Sequence, residues 1–266
     1  PEAAKGADIG NTDVDLKNVH LSYTGNEKDE VLHGIHLKLP AGSFTALVGP
    51  SGGGKSTVAK LIARFWDVTA GEITIGGVNI KDIPLAQLSE TVSFVTQDNF
   101  LFRCSLLENI RLGKPDATDE EVRAAARAAQ CETFIEKLPQ GYDTPAGEAG
   151  KRLSGGEKQR IAIARMILKD TPIVILDEAT AFTDPENEDK IQRSLAELTR
   201  GKTLLVIAHR LSTIQHADNI VVLKGGRIEA EGSQEALLAG CPLYRDMWQA
   251  HIGAKNWAVS AAKQEG

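Results

Sequence analysis

No stretch of this chain approaches the ~18 consecutive apolar residues that cross a bilayer as a helix. Nothing at its start has the pattern of a secretory signal. Cysteine is scarce: Cys104, Cys131 and Cys241 are far apart, which excludes a disulfide framework and a zinc pattern and suits a reducing compartment. Each reads as a packed or idle thiol. Basic charge is not in excess, with 30 Lys+Arg against 36 Asp+Glu and a formal net charge of -6. No nucleic-acid partner is therefore expected. No internal repeat or low-complexity tract is evident. The chain begins at Pro1 rather than Met, which reads as a processed or excised piece of something longer. A membrane-spanning part, if that protein has one, lies outside this sequence.

What is present is ordinary globular material, 42% hydrophobic and 25% charged. At 266 residues it suffices for one large domain or two subdomains. The chain is organised around Gly49-Pro50-Ser51-Gly52-Gly53-Gly54-Lys55-Ser56-Thr57, which fits G-x-x-x-x-G-K-[ST]. An apolar run at 43–48 precedes it and reads as a buried strand, and residues 57–65 have helical spacing. Strand, glycine loop and helix in that order form an anion site. Glycines let backbone N–H groups converge on phosphate oxygens, and the helix N-terminus adds positive potential. Lys55 can reach the β- and γ-phosphates of a nucleotide, and Ser56 can ligate Mg²⁺. The bland alternative, a glycine turn with a surface lysine, fails to account for the flanking pattern.

Along the chain, residues 1–12 are small and polar and read as a linker or frayed terminus. Residues 14–23 and 32–39 alternate as strands, and 71–78 read as a hairpin on Gly76-Gly77. Residues 92–97 are another short strand. From about 100 to 170 the pattern turns helical, with capping boxes at Thr118–Glu121 and Ser154–Glu157. Ile173-Val174-Ile175-Leu176 is a continuous apolar run, the mark of a parallel strand buried on both faces. Asp184-Pro185 opens a helix, 203–208 is a buried strand, and 220–230 is a hairpin on Gly225-Gly226. Two short helices follow, near 234–238 and 243–251, and 253–266 reads as a loose tail. The class is α/β: mixed strands, an α/β half, a helical insert and a return to α/β, with the folded part at 13–252.

Asp177 and Glu178 end the apolar strand, where carboxylates reach the ligand edge of a parallel sheet. One acid can organise Mg²⁺ and the other can take a proton from water. Neighbouring residues of a strand point to opposite sides, so two roles are natural. Ser154 has a plain reading as a helix cap, yet Gly155-Gly156 inside the box cost about 1 kcal/mol each relative to Ala. Such a start offers bare N–H groups as a second phosphate-binding surface. His209 and Gln97 end strands predicted to reach the same edge as the loop. Tyr23 closes a strand upstream and can stack on a base or sit at the rim.

Taken together, residues 14–250 resemble the nucleotide-binding domain of an ABC transporter of exporter type. The most specific element is Leu153-Ser154-Gly155-Gly156-Glu157-Lys158-Gln159, which is similar to the family signature. The resemblance implies a P-loop NTPase core with mixed sheet, an N-terminal antiparallel β-subdomain and an inserted α-helical subdomain. It implies that Tyr23 stacks on adenine, that Gly49 to Thr57 is the Walker A loop, and that Gln97 senses Mg²⁺ and water. It implies that Asp177 is the Walker B acid, Glu178 the catalytic base, His209 the switch histidine and Asp184 the D-loop aspartate. Gly147-Glu148-Ala149-Gly150 is similar to the exporter loop that touches a coupling helix. The family works as a head-to-tail dimer at the cytoplasmic face of the membrane. ATP on one Walker A loop is covered by the other subunit's signature, so the two helix starts serve different nucleotides. Two positions depart from the family pattern: Ala181 replaces a D-loop serine, and Glu157 stands where glutamine is commoner. The run at 179–188 resembles exporter-fold proteins that import siderophores of the mycobactin and yersiniabactin type.

Two other readings compete. A soluble ATPase of this class acting on DNA or ribosomes requires a long coiled coil between the Walker motifs, or two ATPase units, and neither is here. A dimerisation switch without turnover is disfavoured by the presence of Asp177, Glu178, Gln97 and His209 together.

Overall fold

The computed structural model describes residues 6–96, 100–178 and 185–264, with side chains at 148–150, 185–188 and 255–264 left out. In chain order, β1 (Val14–Ser22), β2 (Glu30–Leu39) and β3 (Phe44–Val48) lead into α1 (Lys55–Ile62). Next come β4 (Ala70–Ile75), β5 (Val78–Asn79), α2 (Leu85–Thr91) and β6 (Val92–Val95). The helices α3 (Leu106–Arg111), α4 (Asp119–Ala128), α5 (Glu132–Glu136), α6 (Ala146–Arg152) and α7 (Gly155–Lys169) precede β7 (Ile173–Glu178). The chain closes with α8 (Pro185–Thr199), β8 (Thr203–Ala208), β9 (Asn219–Lys224), β10 (Arg227–Gly232), α9 (Gln234–Gly240) and α10 (Pro242–Gln264). No helix among the described residues is long and apolar enough to cross a membrane.

Two compact units result. The first comprises Pro1–Leu88, Ile175–Glu178 and Thr203–Gly266, and the second Ser89–Val174 and Ala179–Lys202. The first unit has an antiparallel sheet in the order β2-β1-β4-β5. Val14 and Leu16 enter its core, and a register shift at Asn18 (φ 47°) changes the alternation by one residue so that Val19 and Leu21 enter it too. A second sheet runs β10-β9-β3-β8-β7, with β3 parallel to both β8 and β9 and β10 antiparallel to β9. β3 and β9 are apolar on both faces, as a covered parallel sheet requires. Ile173 and Val174 open β7 within the second unit, where β6 is its neighbour in the sheet order.

The second unit is built on α7, which contacts α3, α4 and α8. Two arginines tie it down. Arg160 is buried, donates to the Gln130 carbonyl at 2.6 Å and lies 4.9 Å over the Phe134 ring. Arg165 donates to the Asn109 carbonyl at 2.8 Å and lies over Phe102 at 5.4 Å. The Thr118–Glu121 and Ser154–Glu157 capping boxes both form. Burial pushes the Cys131 thiol up to about 12, so it stays protonated and inert.

Three expectations need correction. Residues 6–12 are not frayed: Ala7 exchanges two 2.7 Å hydrogen bonds with the Gln87 amide, and Thr12 meets Thr203 at 3.0 Å. A polar segment offers as many backbone partners as a side-chain amide can use, which composition alone does not reveal. Of the expected loose tail, residues 253–264 are helical, because α10 runs on to Gln264. Its alanines favour helix enough to absorb Gly253. The strand expected at 92–97 stops at Val95, and α2 just before it was not foreseen.

Candidate active site

β3 delivers the chain into the glycine loop, and the loop's backbone is set by what lies beneath it. Gly49 has φ 144°, and a Cβ there would stand 1.9 Å from the Leu223 carbonyl oxygen. A Cβ on Gly53 would stand 2.9 Å from the same oxygen. Only glycine permits this approach of loop to β9. Gly54, at φ 99°, begins α1 with no side-chain cap. The first-turn amides of α1 are thus not taken by a cap and remain able to meet an anion.

Lys55 is 8% exposed and folds back on its own loop, donating to the Gly49 carbonyl at 2.5 Å and the Pro50 carbonyl at 3.2 Å. Burial lowers its pKa, and the nearby Asp177 carboxylate pulls it back up. Ser56 beside it is exposed. The arrangement is a glycine loop with free first-turn amides and a cation folded onto its own carbonyls, within the field of the Asp177 carboxylate.

β7 ends in Asp177 and Glu178, both half-buried. Their partners differ. Asp177 Oδ1 is 3.3 Å from His209 Nε2, and Glu178 Oε2 accepts from the Arg210 backbone N–H at 3.4 Å. The residue after β8 thus meets the strand end of β7, as convergence on one edge requires. Tyr23 lies in the same unit, 47% exposed, with its hydroxyl 3.3 Å from Thr57 Oγ1. Trp66 abuts its ring edge-on, with centroids 5.1 Å apart at 78°. One face of an exposed phenol is therefore held at a fixed tilt.

The second unit holds the other helix start. Ser154 Oγ accepts the Glu157 N–H at 3.1 Å, and Glu157 Oε1 accepts the Ser154 N–H at 2.9 Å. This box uses the amides of residues 154 and 157 and leaves those of Gly155 and Gly156 outside it. Ser154 and Gly155 are exposed. Gln97 and Asp184 lie outside the described residues, as do Ala181 and the side chain of Glu148. Of the predicted residues, Tyr23, the loop 49–57, Asp177, Glu178 and His209 share the first unit, while 154–157 belong to the second. Sequence reasoning did not single out Trp66, the Arg210 amide, or the Leu223 and Gly226 backbone under the loop. Trp66, one of three tryptophans, was the one visible signal.

Comparison with known proteins agrees with this geometry. The ABC transporter family model matches residues 32–181. The mycobactin import ATP-binding/permease protein IrtA of Mycolicibacterium smegmatis is 56% identical over 236 residues, covering 89% of this chain and 27% of that protein. The ATP-dependent lipid A-core flippase of Desulfotalea psychrophila is 50% identical over 238 residues, covering 90% of this chain and 41% of its own length. Among solved structures, a bacterial Atm1-family ABC exporter with ATP bound superposes with a TM-score of 0.85 at 42% identity. That match covers 94% of this chain and 43% of the other. The chain therefore spans less than half the length of the relatives it matches. It belongs to the ABC transporter family, of which it is an ATPase domain with exporter-type homologues.

Proposed function

We propose that this chain binds Mg·ATP in the 49–57 loop and hydrolyses it as one half of a head-to-tail dimer, at the cytoplasmic face of a membrane. The observation that carries the reading is the Lys55 ammonium, held on its own loop carbonyls and felt by the Asp177 charge. An ammonium in that position exchanges two carbonyls for phosphate oxygens. The amides of α1 accept the remaining phosphate charge. Ser56 and Asp177 are the residues that would hold Mg²⁺. One hydroxyl and one carboxylate suit an ion that takes most of its ligands from water and phosphate. Bound Mg²⁺ would neutralise charge on the β- and γ-phosphates.

Glu178 is the base in this reading. Its carboxylate takes a different partner from Asp177, accepting from the Arg210 backbone N–H, and in this reading it takes the proton of an attacking water. His209, released from Asp177, donates to the γ-phosphate. Gln97 joins Mg²⁺ and water, and Tyr23 stacks on adenine. Ser154, Gly155 and Gly156 of one chain, capped by Glu157, cover the γ-phosphate held by the other chain, with Asp184 at the same seam. The Gln97 and Glu148 regions contact transmembrane domains. The whole transporter's cargo is proposed to be a siderophore, on the strength of the 179–188 run and of the 56% identity to a mycobactin importer. Uptake of labelled iron chelate into vesicles bearing the whole transporter tests that assignment; uptake indifferent to ATP would remove it.

The core test is Glu178→Gln in the full transporter. ATP binding is expected to survive and phosphate release to fall to background. Unchanged turnover would refute the base assignment.

A further inference from the structure

We propose that the Gly225-Gly226 turn between β9 and β10 is a positioning element for the phosphate loop, with Gly226 as its contact residue. The inference rests on the reading of 49–57 as the phosphate cradle. Gly226 joins two segments far apart in sequence. Its N–H donates to the Gly53 carbonyl at 3.1 Å, and its own carbonyl accepts the His33 N–H at 2.9 Å. The end of β9 presses on the loop from the same side, through the Leu223 carbonyl under Gly49 and Gly53. A Cβ on Gly54 would meet Leu32 Cδ2 at 2.7 Å and the Gly226 Cα at 3.7 Å. The loop thus lies on a shelf of two backbones, β9 with its turn and the start of β2.

The β2 side of that shelf is itself fixed. Glu30 accepts from His20 at 2.8 Å with one oxygen and from His33 at 2.7 Å with the other. Arg227, the residue after the turn, donates to the His33 carbonyl at 3.3 Å. Gly226 fills the remaining space. It has φ 74°, and a Cβ there would stand 2.0 Å from the Val31 carbonyl oxygen and 2.9 Å from His33 Cδ2. Gly225 has φ 55° in the same turn, with nothing within 4 Å of a Cβ. The two glycines are equally demanded by the turn's conformation, but only one is demanded by contact.

The physical need is plain. A loop of successive glycines loses much conformational freedom when it orders around an anion. A shelf that holds its carbonyls and amides in place beforehand removes that cost from binding, and preorganised donors act more strongly than mobile ones. Gly226 touches no phosphate in this account. It acts through Gly53.

The matched pair Gly226→Ala and Gly225→Ala tests this in the full chain. Both introduce the same left-handed strain, so both lower the melting temperature. Affinity for Mg·ATP, measured by calorimetric titration where circular dichroism shows each variant folded, separates them. Gly226→Ala is expected to bind about tenfold or more weakly, and Gly225→Ala within about twofold of wild type. A folded Gly226→Ala that binds as tightly as Gly225→Ala overturns the inference. Should Gly226→Ala not fold, amide exchange in the wild-type chain decides. Nucleotide is expected to slow exchange at Gly226 and His33 along with the loop; slowing confined to 49–57 overturns the shelf alone. A wild-type chain with no affinity for ATP would refute both the shelf and the nucleotide reading.

Discussion

Replacing Lys55 by Met separates what the ammonium does for the fold from what it does for the ligand. In the free protein the ammonium is 8% exposed and satisfied by two carbonyls, at 2.5 and 3.2 Å. Removing it loses two hydrogen bonds but also removes a buried charge, and these terms nearly cancel, leaving stability within about 1 kcal/mol. On binding, the carbonyl contacts are exchanged for phosphate oxygens. A unit charge pair at about 4 Å gains roughly 4 kcal/mol at an effective dielectric constant near 20, and giving up the carbonyls returns about 1–2 kcal/mol. The net of about 2–3 kcal/mol predicts ATP affinity some 30- to 150-fold weaker in Lys55→Met. Calorimetric titration gives the affinity, and thermal melting without nucleotide gives the stability. Because burial holds the folded lysine below its ordinary 10.5, the unfolded chain binds more protons in the window between the two values. The ammonium's destabilising share is therefore present at neutral pH and fades as pH rises toward 10.5, so wild type gains on the variant there. Lys55→Met binding ATP within about threefold of wild type would refute the argument, as would a loss of more than ~5 °C in Tm without nucleotide.

Tyr23→Ala should weaken ATP binding by roughly 1–3 kcal/mol of lost base stacking, while Tyr23→Phe, which loses only the 3.3 Å contact to Thr57, should stay near wild type. Equal losses in both variants would show that the hydroxyl and not the ring matters. Hydrogen bonds from His33 and His20 hold the Glu30 carboxylate below its ordinary 4.5. Its stabilising share is therefore full above 4.5 and is lost as pH falls through the lowered value. The melting-temperature gap between wild type and Glu30→Gln should accordingly be open near pH 6 and close well below 4.5. A gap that persisted unchanged into strong acid would show that the histidines do not set that carboxyl.

Local chemistry was legible in the sequence wherever one segment contains its own reasons. The strand and glycine loop form as their pattern requires, and the helix follows from Lys55 but stops at Ile62, short of the 57–65 spacing, before Arg64 turns left-handed at φ 56°. The two capping boxes close because serine or threonine and glutamate three residues apart satisfy each other's amides. The apolar run at 173–176 ends in two acids that take different partners, as alternation in a strand implies. What stayed hidden depends on segments distant in the chain. Nothing in Gly225-Gly226 distinguishes an ordinary hairpin turn from one that touches Gly53 and His33, because the touching residues lie in the first quarter of the chain. The Ala7–Gln87 pair is invisible for the same reason. Trp66 against Tyr23 combines a residue in the bend after α1 with one just past the end of β1, and their proximity follows only from the tertiary fold.

The central claim is that each ATP is held by one chain's 49–57 loop and covered by the other chain's 154–157 helix start. Complementation tests it most directly, in a Glu178→Gln background where ATP is retained rather than consumed. One chain carries Lys55→Met. The other carries Ser154→Asp, since aspartate still caps the helix as well as serine but sets a negative charge against phosphate. Alone, each variant can form no intact site and should retain no ATP. Mixed in equal amounts, a crossed dimer restores one intact site, made of the second chain's loop and the first chain's helix start. The account predicts retained ATP in the mixture, about one per mixed dimer. A mixture that retains no more than its two components would contradict it.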